Sequence, residues 1–158
     1  MTSLPPETLM AKLRANQDGS LHVDHADLER LWDHLSPVGI GEILGSWRGS
    51  VIRTGHPVES FLSDIGWYGK TFHAPMDAKP LICRDDHGEL HSDVTLGKGE
   101  ATLWMIEFRG QSTASMVYDG RAIVDHFKRL DEDTLLGVMN GRDVVRQGKH
   151  CHFLLRRA

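Results

Sequence analysis

The sequence is short of nearly everything that would tie it to a membrane, a nucleic acid or an oxidising compartment. It holds two cysteines, Cys83 and Cys151, too few and too far apart for a disulfide framework. No apolar run approaches the roughly 18 residues needed to span a bilayer. The opening Met1-Thr2-Ser3-Leu4-Pro5-Pro6 has neither the basic nor the apolar stretch of an export signal. The expectation is a cytoplasmic protein with reduced thiols, which pair only if the fold brings them together. Positive charge is also scarce. Against 22 Asp and Glu there are 18 Lys and Arg, a net charge of -4 that argues against a nucleic-acid partner. Basic residues gather late, at Arg142, Arg146, Lys149, Arg156 and Arg157, but apolar and acidic positions interrupt them as on a solvated strand face. A P-loop, a complete Gly-x-Gly-x-x-Gly fingerprint and a Gly-x-Ser-x-Gly elbow are all missing, so nucleotide use and serine hydrolysis have no support. The ten histidines offer no His-Glu-x-x-His or Cys-x-x-Cys arrangement; His150 and His152 share a strand face that permits two ligands, but no third is identified, and no cofactor is expected.

What remains is an ordinary globular composition, with 40% apolar and 25% charged residues in 158, enough for one domain with a substantial core. That domain divides into an N-terminal helical segment (1–37), a middle portion (38–99) and a C-terminal β-meander (100–158). Pro5 and Pro6 suit a helix start, with Leu9, Met10 and Leu13 on one face. After Asn16-Gln17-Asp18-Gly19 a second helix follows. Asp24 caps it, Leu28, Leu31, Trp32 and Leu35 form its apolar stripe, and Ser36-Pro37 ends it. This helix is expected to pack on an outer wall or an end of whatever follows.

From Ile43 the apolar period changes to two. A strand is predicted over Ile43 to Arg53, then a short helix around Val58, Phe61, Leu62 and Ile65, with Trp67 to Phe72 leading out of it. Further strands are predicted at Leu81 to Arg84, Ala101 to Arg109, Ser112 to Asp119, Ala122 to Leu130, Thr134 to Asn140 and His150 to Arg156. Turn chemistry such as Asp119-Gly120 and Asn140-Gly141 separates them. Short strands at this spacing predict a mainly β fold with N-terminal helices. The expected architecture is an antiparallel β-barrel, whose closure removes exposed edges and leaves room for one small ligand.

The strand at Gly45-Ser46-Trp47-Arg48-Gly49 resembles the motif of the GXWXG family. The resemblance continues through Gly55-His56-Pro57 and Gly66-Trp67-Tyr68-Gly69-Lys70-Thr71-Phe72. It extends to Met116-Val117-Tyr118-Asp119, Asp125-His126-Phe127, Leu136-Gly137-Val138-Met139 and Phe153-Leu154-Leu155-Arg156, which look like the companion C-terminal domain of unknown function. It implies a lipocalin-like or fatty-acid-binding-protein-like barrel and no particular activity. A second resemblance, to haem-binding barrels of the nitrobindin type, implies haem as an alternative cofactor. His150 or His152, or else His126, would be its ligand, although Ser50-Val51 stands where that family's strand extends to another glycine.

Within the motif, Gly45 and Gly49 allow close backbone approach and Trp47 reads as a plug of the barrel floor, with Arg48 facing the other way. Trp67, Tyr68, Lys70 and Phe72 are candidates for a pocket mouth, where Lys70 would hold a carboxylate or phosphate. Met116, Tyr118, His126 and Phe127 are candidates for its wall. If Met116 and Tyr118 point inward, either His126 or the Asp125-Phe127 pair joins them, and strand register decides which. The leading reading is a binding protein for a small, mostly apolar molecule. A second is an enzyme in which His126, with Asp125 or Tyr118, forms an acid/base pair. A third is an interaction module whose exposed Trp32 helix face serves a partner or a homodimer.

Overall fold

A computed structural model describes residues 3–158; Met1 and Thr2, where the expected segment 1–37 begins, lie outside the described residues. Two helices come first, α1 (Pro6–Ala15) and α2 (His25–His34). Pro6 sits in the first turn of α1, where a missing N–H costs nothing. Asp24 caps α2, its carboxylate accepting from the Ala26 N–H at 3.2 Å. The elements that follow are β1 (Ser36–Pro37), α3 (Ile40–Ile43), β2 (Gly45–Ile52), α4 (Pro57–Asp64), β3 (Trp67–Ala74), β4 (Asp77–Arg84) and β5 (Leu90–Ser92). The chain ends with β6 (Ala101–Phe108), β7 (Gln111–Tyr118), β8 (Val124–Asp131), β9 (Thr134–Asn140) and β10 (Cys151–Arg157).

Eight of these strands close a ring in the order β8-β7-β6-β4-β3-β2-β10-β9, with β9 returning to β8. Every pairing is antiparallel, so the expected barrel is present. Three expectations change. The strand expected from Ile43 begins at Gly45, because Ile40–Ile43 is a helical turn whose Glu42 carboxylate accepts from the Gly39 N–H at 2.6 Å. Trp67 and the residues after it form β3 rather than a lead-out. The strand expected from Leu81 starts at Asp77 and contains Pro80. Lacking an N–H, Pro80 cannot donate to a strand ladder. The seam between β4 and β6 is correspondingly thin, a single Cα pair at Ala78 and Ala101.

Side chains fill much of the barrel. Phe127 packs between Phe72 and Phe153, with ring centroids 5.5 and 6.1 Å away. Gly137 makes room for Phe153, since a Cβ there would lie 2.3 Å from its ring. At one end the buried Trp47 donates its indole N–H to the Ile43 carbonyl at 2.8 Å and carries the Arg157 guanidinium 4.2 Å over its ring. Arg156 donates to the Leu13 carbonyl at 2.7 Å, so these two arginines tie elements together rather than forming a free basic face. Arg142, Arg146 and Lys149 fall in the connection between β9 and β10. Cys83 and Cys151 are buried free thiols.

The helices α1 and α2 cover the outer wall. Leu9, Leu13, Leu28 and Leu31 form one apolar cluster with Ile52, Leu136, Val138 and Leu154. Trp32 is part of it and only 1% exposed. Its face is therefore spent on the barrel and is not open to a partner or a homodimer. Lys128 Nζ sits 5.0 Å over the Trp32 ring and donates to the Trp32 carbonyl at 2.9 Å, placing a cation at the C-terminal end of α2.

Histidines occupy the same layer. The His126 ring meets Ser115 Oγ at 2.8 Å and the Asn140 amide at 3.2 Å, and stacks on Phe108 at 4.2 Å. His152 is 1% exposed and stands edge-on to His25 at 5.2 Å. Burial pushes His126 down to about 4 and His152 down to about 3, with neighbouring histidines adding to the shift.

Gly137→Ala should cost about 1–3 kcal/mol through overpacking against Phe153. Gly41→Ala, in the helical turn α3 with nothing within 4 Å of the new Cβ, should be neutral or stabilise slightly. Urea midpoints at neutral pH compare the two, and equal shifts would reject the Gly137 account. The histidines set a pH dependence. The unfolded chain binds protons near pH 6.5, before the folded one does, so their stabilisation is complete above that value. It drains as pH falls through about 4 and about 3. Denaturation midpoints should fall on acidification below about pH 6.5, and His152→Leu should flatten that slope; an unchanged slope in the variant contradicts the assignment.

Candidate functional site

The most constrained polar group lies inside the barrel. Lys70 and Phe72 alternate onto the inner face of β3. On β8, Asp125 and Phe127 do the same, because the register pairs Met116 with Asp125 and Ser115 with His126. The strands β3 and β8 stand opposite each other in the ring. Across the interior Lys70 Nζ meets Asp125 Oδ2 at 3.0 Å, with the two side chains 2% and 0% exposed. Lys70 also donates to the Pro80 carbonyl at 3.2 Å and the Tyr118 hydroxyl at 3.4 Å. The rings of Trp67, Tyr118 and Phe153 lie 5.3, 5.6 and 5.2 Å from the ammonium, close enough for cation–π attraction.

The carboxylate is less well served than the ammonium. The Lys70 contact lies off hydrogen-bond alignment, and neither Asp125 oxygen has a hydrogen-bond partner among the described residues. Burial pushes the Asp125 carboxyl above its ordinary value, and the Lys70 charge offsets part of that rise. Burial, reinforced by Asp125, pushes the Tyr118 phenol well above its usual range. Tyr118 is therefore a neutral O–H group at any ordinary pH. Its oxygen accepts from Lys70, and its own proton has no acceptor among the described residues.

Tyr118 connects this cluster to the outside. It lines a cleft of about 250 Å³ at the end of the barrel away from Trp47. Val58 and Leu62 of α4, with Leu81, Ile123, Met139 and Val144, supply its apolar walls. At the rim Arg121 donates twice to the Leu96 carbonyl, at 2.9 and 2.7 Å, and Asp143 accepts from the Ala122 N–H at 3.0 Å. Such a site, largely apolar with Tyr118, Arg121 and Asp143 as its polar residues, falls just below the usual size of ligand pockets.

The candidates from the sequence separate into two groups. Lys70, Phe72, Met116, Tyr118, Asp125 and Phe127 converge on the interior. Lys70 is not at a mouth awaiting an anion, because Asp125 already neutralises it. Trp67 packs edge-on to Phe153 at 5.7 Å and over Gly49, where a Cβ would lie 2.2 Å from the indole. Tyr68 faces outward beneath the Arg84 guanidinium at 5.0 Å. His126 is on the outer face, hydrogen-bonded to Ser115 and Asn140, so it forms no dyad with Tyr118 or Asp125. His152 is sealed in the helix-covered wall, and His150 bonds through Nδ1 to the Met139 carbonyl at 3.1 Å; neither points into the barrel. Gly45, with φ +127, abuts the Arg157 guanidinium, so this glycine, Trp47 and Gly49 all serve packing. Sequence reasoning missed Pro80 and Val144. A carbonyl acceptor leaves no mark in the sequence, and a valine in a loop looks like any other.

Comparison with known proteins fits this architecture. Residues 30–88 match the family described as GXWXG protein, and residues 99–157 match the domain of unknown function DUF4334. A crystal structure of a protein from Thermomonospora curvata is 34% identical, with a TM-score of 0.86 over 98% of this chain and 99% of that one. Among curated proteins none matches. No helix among the described residues is long and apolar enough to cross a membrane. With the two matches in tandem and a relative this similar over nearly its whole length, the chain belongs to the GXWXG family, its GXWXG portion followed by the companion domain of unknown function.

Proposed function

We propose that the protein binds a small, mostly apolar molecule in the cleft between α4 and the open end of the barrel. The observation that carries this reading is the cleft itself, largely apolar and about 250 Å³, with Tyr118 in its wall and the Tyr118 hydroxyl in turn on the buried Lys70. Elsewhere in the barrel aromatic side chains occupy the interior, so the ligand would be held at one end rather than throughout the lumen. A buried ion pair gives support of a different kind. Such pairs rarely stabilise a fold relative to apolar residues of the same size, and one placed beside a cleft is better explained by recognition.

Eight-carbon probes suit a cleft of this size. Titration calorimetry with octane, 2-octanone and octanoate should find one-to-one binding for at least one of them. Val58→Trp, which places an indole in the cleft from a half-buried position of α4, should weaken that binding by about tenfold or more while the protein stays folded. Binding that survives the substitution, or no binding by any probe, would remove the cleft as the site.

A further inference from the structure

Among the described residues that line the cleft, Arg121 is the one cation. Resting on the reading of the cleft as a binding site, we infer that its ligand is a monocarboxylate, with the apolar chain inside the cleft and the carboxylate on the Arg121 guanidinium at the rim.

Arg121 stands half-buried in the connection between β7 and β8. A guanidinium offers its N–H donors in planar forks, each able to hold one acceptor group. The fork made by Nε and Nη2 is taken, both atoms donating to the Leu96 carbonyl at 2.9 and 2.7 Å. Leu96 is itself a lining residue, so this anchor holds the guanidinium at the cleft wall. The second fork, Nη1 with the remaining N–H of Nη2, has no acceptor among the described residues. No carboxylate among them forms an ion pair with Arg121. The other charges are differently placed. Lys70 pairs with Asp125, and neither lines the cleft. Asp143 does line it, exposed, with its carboxylate on the Ala122 N–H at 3.0 Å.

A free fork of two parallel N–H donors matches the two oxygens of a carboxylate. At a half-buried rim the carboxylate keeps part of its hydration, so it avoids most of the desolvation cost of a fully buried anion. The apolar chain meanwhile gains by leaving water for the cleft walls. Ligand polarity then follows site polarity, head outward on Arg121 and chain inward. Asp143 limits the charge of that head. A phosphate monoester carries close to two negative charges at neutral pH and is repelled more strongly by Asp143 than a carboxylate with one. Arg121 is thereby the residue that selects the head group, while the apolar walls select the chain.

Titration calorimetry at neutral pH with octane, 2-octanone, octanoate and octyl phosphate separates this inference from the one beneath it. In the parent protein octanoate should bind about tenfold or more tightly than 2-octanone, as hydrogen bonds to a charged group allow. It should also bind at least as tightly as octyl phosphate. Added salt should weaken octanoate binding but not that of 2-octanone. That arm tests the charge in the parent itself, whether or not a variant folds as well. Arg121→Gln keeps a donor for the Leu96 carbonyl; it should lower octanoate affinity by about tenfold and leave octane and 2-octanone unchanged. Octanoate binding no tighter than 2-octanone in the parent, or indifferent to salt, overturns the head-group assignment but leaves the cleft as a site. Octyl phosphate binding more tightly than octanoate overturns the choice of a carboxylate. An Arg121→Gln variant that holds octanoate as well as the parent overturns the role of Arg121. If no probe binds the parent, the cleft reading fails and this inference fails with it.

Discussion

An ammonium and a carboxylate are confined together in a barrel that excludes water from both, and much of the interior is arranged around that constraint. Lys70 and Asp125 come from strands on opposite sides of the ring, so their 3.0 Å contact spans the lumen. An unpaired charge at either position would be prohibitive in so apolar a setting. The Pro80 carbonyl, the Tyr118 hydroxyl and three aromatic faces complete the surroundings of the ammonium. Glycines then let the aromatic residues close in, Gly49 beneath Trp67 and Gly137 beneath Phe153.

The pair also crosses the boundary between the two family matches. The GXWXG portion supplies β2, β3 and β4, and the companion domain supplies β6 to β10. Three strands cannot close a ring, and five leave two open edges. The halves meet along six Cα pairs between β2 and β10 but through one pair between β4 and β6. Lys70 belongs to the first half and Asp125 to the second, so the ion pair ties the halves together through the interior. The two matched regions therefore build one barrel rather than two independent units.

Much of this was legible in the sequence. Strand periodicity and turn residues located β6 to β10 to within a few residues, and the apolar stripe of α2 marked a helix that had to be covered. The Trp47 plug followed from a bulky residue set between glycines in a strand. Two features were harder to read. Helical turn α3 is too short for periodicity to reveal, and Pro80 disguised the start of β4. The site itself hung on register. His126 and Asp125 are adjacent, and a shift of one residue exchanges which of them enters the barrel. A signal was nonetheless present. Lys70 shares a face with Phe72, and Asp125 shares one with Phe127. Two opposite charges, each on an otherwise apolar strand face, are most simply reconciled by pairing with each other.

The central claim is that Lys70 and Asp125 act as one self-neutralised unit, which no net gain in stability over an apolar pair accounts for. A double-mutant cycle in denaturant, with Lys70→Met, Asp125→Leu and the two combined, tests it most directly. Each single change should cost about 3–5 kcal/mol by leaving a buried charge alone, and the combined variant should return to within about 1 kcal/mol of the parent or exceed it. A combined variant destabilised by the sum of the two single losses would contradict the account.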